Sequence, residues 1–275
     1  MRGEYDLLLL CETLGVSRSG YYAWAKRRSA RAQANERLLG QIQTIHAQSR
    51  ATYGSPRVTQ SLRRAGEKVG HNRVARLMQQ AGLVGRQKRR YRVRTTDSNH
   101  DQPIAPNRLG RATPARADQV WVSDLTFLRT AEGFLYLALV TDKYSRKIVG
   151  YHCGETLAAA GCILALEMAL AGLPEGGHPL HHSDRGSQYC CHEYVNSLAA
   201  RGLGISMTEQ DHCAENALAE RMNGILKSEY GLGRELPGKA QARCAVVQAV
   251  LLYNTRRPHT ALGYRFPETV HSLAA

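Results

Sequence analysis

Asp124, Asp184 and Glu220 lie far apart along the chain, yet each falls where a regular element would carry it. The first sits in an apolar, strand-like run, the second ends another, and the third lies on an amphipathic helix. Hard divalent ions such as magnesium prefer oxygen ligands, and a pair of them can activate an attacking oxygen and stabilise a leaving one in phosphodiester chemistry. Acids from distant positions can build such a clamp. Asp142, Glu155, Glu209, Asp211 and Glu215 compete for the same role, and residue type alone does not choose among them. Asn216, Glu220, Asn223 and Lys227 follow one another at intervals of four, three and four, so they share one polar stripe of a helix. Leu218, Met222 and Ile225 then occupy other faces and are available for packing. Lys227 can reach a phosphate near the acids or simply be solvated. His181, His182, Cys190, Cys191 and His192 surround Asp184 but lack the spacing of a structural zinc site. Cys153, Cys162 and Cys244 lie in apolar runs and read as packing residues.

Such acids need a frame to bring them together. Short apolar runs over 120–128, over 134–140 after a Glu132-Gly133 turn, and over 147–152 predict three strands in an antiparallel meander. A helix over 157–170, a strand over 178–183, a helix over 191–200, a strand over 204–207 and a helix over 214–230 are expected next. Strands followed by alternating helices and strands imply an α/β fold with a mixed sheet covered by helices.

The preceding part has a different texture. Residues 35–49 carry Leu38, Leu39, Ile42, Ile45 and His46 at helical spacing, and Gly54-Ser55-Pro56 can start a further helix near Arg57. A turn follows at Gly66, and 71–80 resumes with Val74, Leu77 and Met78 on one face. Two short helices about a glycine turn fit a helix-turn-helix whose second helix presents Asn72, Arg73, Arg76 and Gln79 to base edges or phosphates. A small helical bundle with exposed arginines is the alternative. Leu14 to Tyr22 resembles the turn and second-helix start of another such unit.

Composition agrees with a polyanionic partner. Lys and Arg number 37 against 23 Asp and Glu, a formal charge of +14. Through Asp118 there are 23 basic and 8 acidic residues, and after it 14 basic and 15 acidic, so the excess lies entirely in the first part. Arg86, Lys88, Arg89, Arg90, Arg92 and Arg94, with Tyr91 among them, suit tracking of DNA phosphates. Residues 95–118 are polar, contain Pro103, Pro106 and Pro114, and read as a linker. The expected organisation is a helical DNA-binding region over 1–94, that linker, and a catalytic core with a helical tail over 119–275. An apolar content of 43% is enough for a buried core and excludes wholesale disorder. The seven cysteines include no C-x-x-C pair, so neither a disulfide framework nor a zinc ribbon is visible and a reducing, cytoplasmic compartment is expected. Leu7 to Leu10 is too short for a membrane span and wrongly flanked for a signal peptide, so no membrane partner is expected.

Motif context narrows the reading. Trp121-Val122-Ser123-Asp124-Leu125-Thr126 resembles the W-x-x-D-hydrophobic-T strand of DDE transposases related to retroviral integrases. His182-Ser183-Asp184-Arg185-Gly186-Ser187-Gln188-Tyr189 resembles their H-S-D-x-G-x-Q-Y turn. Glu215-Asn216-Ala217-Leu218-Ala219-Glu220 supplies the third piece, with 35 residues between Asp184 and Glu220, the interval of that family. Tyr253-Asn254-Thr255-Arg256-Arg257-Pro258-His259-Thr260-Ala261-Leu262-Gly263 resembles the Y-N-x-x-R-P-H-x-x-L-G tail of bacterial insertion-sequence transposases. Four ordered motifs make the resemblance specific, and the helices upstream extend it over nearly the whole chain. It is narrower still to the second-reading-frame protein of two-frame elements. Two departures stand out: Glu215-Asn216-Ala217 where Asp-Asn-Ala is common, and Arg221-Met222-Asn223 where Ser-Phe-Phe is frequent.

The resemblance implies a ribonuclease-H-like fold in which Asp124, Asp184 and Glu220 hold two Mg2+ or Mn2+ ions. The reaction implied is metal-dependent cleavage and strand transfer of double-stranded DNA, at the ends of a mobile element and at its target. It also implies a homo-oligomer on DNA and a first-reading-frame protein or frameshift fusion as partner. The alternative is a partner-dependent or inactive DNA-binding subunit or regulator. Arg256, Arg257 and His259 in the tail either touch DNA or cap the preceding helix.

Overall fold

The computed structural model describes residues 6–86, 102–109, 113–209 and 216–273. They fall into two compact units, one up to residue 87 and one from residue 88 onward.

In the first unit, α1 (Leu7–Thr13) starts at Asp6, whose side chain accepts from Leu8 N. α2 (Arg18–Gln48) starts at Ser17, whose hydroxyl accepts from Gly20 N. The turn between them uses Gly15 at φ 62°. α3 (Ser55–Arg64) has Pro56 in its first turn, where a missing N–H costs nothing. α4 (His71–Gln80) follows a turn with Gly66 at φ 89°. The expected apolar positions Leu38, Ile42, Val74, Leu77 and Met78 form one buried cluster with Val58 and Leu62 of α3 and with Val69. Glu67, in the turn, accepts from both Arg37 nitrogens at 2.8 and 3.1 Å and from Gln41 at 2.9 Å, fastening that turn to α2.

The second unit is a five-stranded sheet ordered β3-β2-β1-β4-β5. β1 (Val120–Thr130), β2 (Gly133–Asp142) and β3 (Ile148–Gly154) form the antiparallel meander read from the sequence, and Gly133 turns at φ 106°. β4 (Leu180–Ser183) and β5 (Gly204–Met207) add on parallel to β1, giving the mixed sheet expected. α5 (Ala159–Ala171) connects β3 to β4, and α6 (Ser187–Cys190) and α7 (His192–Ala200) connect β4 to β5; α8 (Ala217–Glu229), α9 (Lys239–Arg256) and α10 (Pro267–Ser272) follow.

Strand alternation decides what covers each face. Leu128, Leu135, Leu137 and Leu139 pack with Met222, Ile225 and Leu226 of α8 and with Ala242, Val246, Val250 and Tyr253 of α9. Trp121, Ala138 and Val140, on the other face, pack with Cys162, Ala165 and Leu166 of α5 and with Tyr194 and Leu198 of α7. Gly150 makes the second face possible: a Cβ there would lie 2.1 Å from Ala165 O, so α5 crosses β3 at a distance only glycine allows. Within the expected linker, Arg108 N and Leu109 N both donate to Ser206 Oγ on β5, and Leu109 is buried with Val120, Val122 and Ala219. Among the described residues, no helix is long and apolar enough to cross a membrane.

Candidate active site

Strand pairing brings the first two acids side by side. β1 and β4 run parallel with Val122 opposite His182, and Asp124 and Asp184 each stand two residues beyond that pair. Asp184, in the turn after β4, accepts from Gly186 N at 3.0 Å. Glu220 comes from α8, exposed in its first turn, where the helix dipole favours a negative charge. Two amides on the polar stripe dock α8 on β1. Asn216 Nδ2 donates to Ser123 O at 3.1 Å, and Asn223 Nδ2 donates to Asp124 Oδ2 at 2.7 Å. Asp124 Oδ1 accepts from Leu125 N at 2.9 Å.

The consequence is electrostatic. Burial, then the Asp184 carboxylate, and less strongly Glu220, push the Asp124 carboxyl up to about 7, against the Asn223 and Leu125 donors that favour its charge. Carboxylates crowded in this way are relieved by a cation, and an all-oxygen acidic set suits a hard divalent one. Lys227, two turns beyond Glu220, stands with Nζ 4.5 Å from the Phe127 ring centroid. Burial lowers its pKa while Asp124 opposes that shift.

The competing acids separate once their partners are seen. Glu155 accepts from Lys239 and Arg243 of α9, each at 2.7 Å. Asp142 belongs to a second cluster with Asp118 and His271, whose ligand atoms all lie within 4.8 Å of one another. That cluster is a hydrogen-bonded latch: Asp142 accepts from Asp118 N at 3.0 Å and from Ser145 N and Oγ at 2.6 Å. Asp118 accepts from Trp121 Nε1 at 2.8 Å, and Ser145 Oγ lies 3.1 Å from His271 Nδ1, tying α10 to the sheet. Glu209 is exposed, and Asp211 and Glu215 lie outside the described residues.

His181, His182, Cys190 and Cys191 near Asp184 are engaged in packing, whereas His192 is exposed. His181 Nε2 lies 2.8 Å from Ser123 Oγ and 2.9 Å from Tyr194 OH, and burial, reinforced by His182, pushes its pKa down to about 3. His182 Nδ1 meets Ser206 Oγ at 2.9 Å, and Cys190 Sγ meets Met207 Sδ at 3.6 Å. This network fixes β1 against β4 and hence Asp124 beside Asp184. Sequence reasoning did not find it, although a histidine inside an apolar strand was the available signal.

The tail motif is a brace for α8. Asn254 pairs with both Ile148 N and Ile148 O at 3.0 Å, and Tyr253 OH donates to Arg146 O at 2.9 Å. Arg257, 1% exposed, donates from Nε and Nη2 to the two Glu229 oxygens at 2.8 Å. Arg257 thus ion-pairs with Glu229 at the last turn of the helix that carries Glu220, a role distinct from capping the helix it follows. Arg256 is exposed and His259 half-buried.

On α4, Asn72, Arg76 and Gln79 lie exposed at intervals of four and three, whereas Arg73 Nε donates to Asn35 Oδ1 of α2 at 2.9 Å. Arg86 is exposed; Lys88, Arg89, Arg90, Arg92 and Arg94 lie outside the described residues.

Comparison with known proteins places both units. An HTH-like domain matches residues 33–91, and Integrase core domain models match residues 114–213 and 201–267. The chain is 40% identical over 273 residues to the insertion element IS600 uncharacterized 31 kDa protein of Shigella sonnei, covering 97% of this chain and all of that one. It is 35% identical over 275 residues to the transposase for insertion sequence element IS629 of Shigella sonnei, covering 97% of this chain and 92% of that one. Among solved structures, the simian T-cell lymphotropic virus intasome in complex with PP2A regulatory subunit B56 gamma shares the fold, with a TM-score of 0.50 at 16% identity over 84% of this chain and 74% of that one. The mixed sheet, its flanking helices and these full-length relatives agree, and the chain belongs to the insertion-sequence transposases with an integrase core, which are DDE-type polynucleotidyl transferases acting on DNA.

Proposed function

We propose that Asp124, Asp184 and Glu220 are the catalytic carboxylates of this transposase and hold two Mg2+ or Mn2+ ions against the scissile phosphate. The observation that carries this reading is the convergence of three acids from separate elements: Asp124 on β1 and Asp184 just beyond the adjacent parallel β4 stand level, and Glu220 lies on the helix that Asn216 and Asn223 dock onto β1. Bound there, such ions supply activation of the attacking oxygen and stabilisation of the departing one in phosphodiester displacement. The chain's own part is positional. Leu125 N and Asn223 Nδ2 fix the Asp124 carboxylate, the Asn216 amide seats α8, and the Glu229–Arg257 pair holds the far end of that helix. Lys227 offers a positive charge to a DNA phosphate beside the acids.

The same reading gives the α4 face of Asn72, Arg76 and Gln79 to a DNA groove, with Arg73 orienting it from Asn35. Arg86, Lys88, Arg89, Arg90, Arg92 and Arg94 then follow the phosphates. It extends to a homo-oligomer bridging two element ends in the cytoplasm, and its resemblance to second-frame proteins puts a first-reading-frame protein among its partners.

Anomalous diffraction from crystals soaked in MnCl2 tests the metal assignment. The reading requires manganese peaks among Asp124, Asp184 and Glu220. Peaks confined to Asp118, Asp142 and His271 would overturn it.

A further inference from the structure

We propose that Asn223 is the positioning residue of the acidic trio: its amide sets the orientation of the Asp124 carboxylate for a divalent cation. The inference rests on the trio being the metal site and adds a residue that does not itself need to touch metal or DNA.

Three observations carry it. First, the two oxygens of Asp124 are held separately, Oδ1 by Leu125 N on its own strand and Oδ2 by Asn223 Nδ2 from α8. Two donors on different oxygens fix both the rotamer and the plane of the carboxylate, which one donor alone would leave free to rotate. Second, Asn223 is 6% exposed, and its Oδ1 is buried without a hydrogen-bond partner. A buried amide oxygen left unsatisfied destabilises the fold, and a leucine of similar size would avoid that penalty, so packing does not account for asparagine here. The donor is therefore the useful part of the side chain. Third, the donor is neutral. An ammonium at this distance would cancel the charge of Asp124, whereas an amide orients the carboxylate and leaves its charge for a cation.

Asn216 provides the internal control. It stands two turns earlier on the same stripe and bonds the strand through Ser123 O, not through a carboxylate. Both amides dock α8, but only Asn223 touches a proposed ligand.

The experiment is calorimetric titration of the whole protein with MnCl2 alone, comparing wild type with Asn223→Leu, Asn216→Leu and Asp124→Asn, and recording metal-free melting temperatures alongside. The expected result is an Mn2+ Kd weakened by about 10- to 100-fold in Asn223→Leu and by less than about threefold in Asn216→Leu. Wild-type affinity in Asn223→Leu, or equal weakening in both asparagine variants, overturns the proposal, because the residue would then act only through helix docking. If Asn223→Leu does not fold, Asn223→Ser is read against the same two results. Unchanged binding in Asp124→Asn instead removes the trio as the metal site, a separate failure.

Discussion

At the scale of single residues, buried polar atoms explain more of this site than its exposed charges do. Asp124 keeps a raised carboxyl because strand, helix and neighbouring acids enclose it, while Asn223, Asn216 and His181 hold the enclosure in place. The sequence displayed the acids and the polar stripe, since residue type and helical spacing are properties of the chain itself. It did not display who bonds whom: Asn223 stood on the stripe beside Glu220, but its partner lies 99 residues away on another element. Arg257 shows the same limit. Its neighbours in the tail suggested either DNA or a helix end, and only burial against Glu229 decides. An arginine buried in this way is costly to strand. Arg257→Ala, which removes two charge-assisted hydrogen bonds to the half-buried Glu229, is expected to lose about 1.5–3 kcal/mol in urea unfolding, whereas Arg257→Met combined with Glu229→Leu recovers most of that loss. A loss confined to the tenths expected of a surface arginine would contradict the brace.

Several elements with a buried face were legible, although α9, buried through Ala242, Val246, Val250 and Tyr253, reads in the sequence only as part of a helical tail. The meander follows from short apolar runs and α4 from apolar residues at helical spacing, because burial imposes those patterns, whereas α3 is marked by the Gly54-Ser55-Pro56 start signal. α2 is the contrast: the pattern over 35–49 marks only its last turns, while the helix begins at Arg18. Residues 22–34 are mostly exposed, so no apolar period marks them; alanine, arginine and lysine propensity and the Ser17 cap sustain the helix instead. Residues 95–118 carry the converse lesson, since their polar, proline-bearing composition hid Leu109, which lies under the sheet. For α4 the expectation concerns DNA. Arg76→Ala should weaken binding to element-end DNA and reduce the salt slope of log K by about 1, as loss of one phosphate contact requires. Gln79→Ala should instead relax base preference at one position, costing about 1–3 kcal/mol on the preferred sequence. Binding isotherms at several salt concentrations distinguish the two effects, and wild-type isotherms from both variants would exclude α4 as the reading helix.

For the molecule as a whole, charge and chemistry are divided along the chain: residues through Asp118 carry +15 and those after it −1. The excess of basic residues lies before the sheet begins, and the carboxylates that raise Asp124 lie within and beside it. A near-neutral segment after Asp118 with a clustered acidic site would draw its DNA affinity from elsewhere, and on the proposed reading the basic residues before it supply that. This division predicts that binding and chemistry can be lost independently. The most direct test is magnesium-dependent cleavage and joining of linear DNA carrying the element's ends, with wild type compared against Asp184→Asn and Glu220→Gln. The account predicts that both substitutions lower turnover by about a thousandfold or more, the effect of losing several kcal/mol of metal stabilisation, while DNA affinity stays at the wild-type level. Cleavage and joining that persist in either variant at near wild-type rates would contradict it.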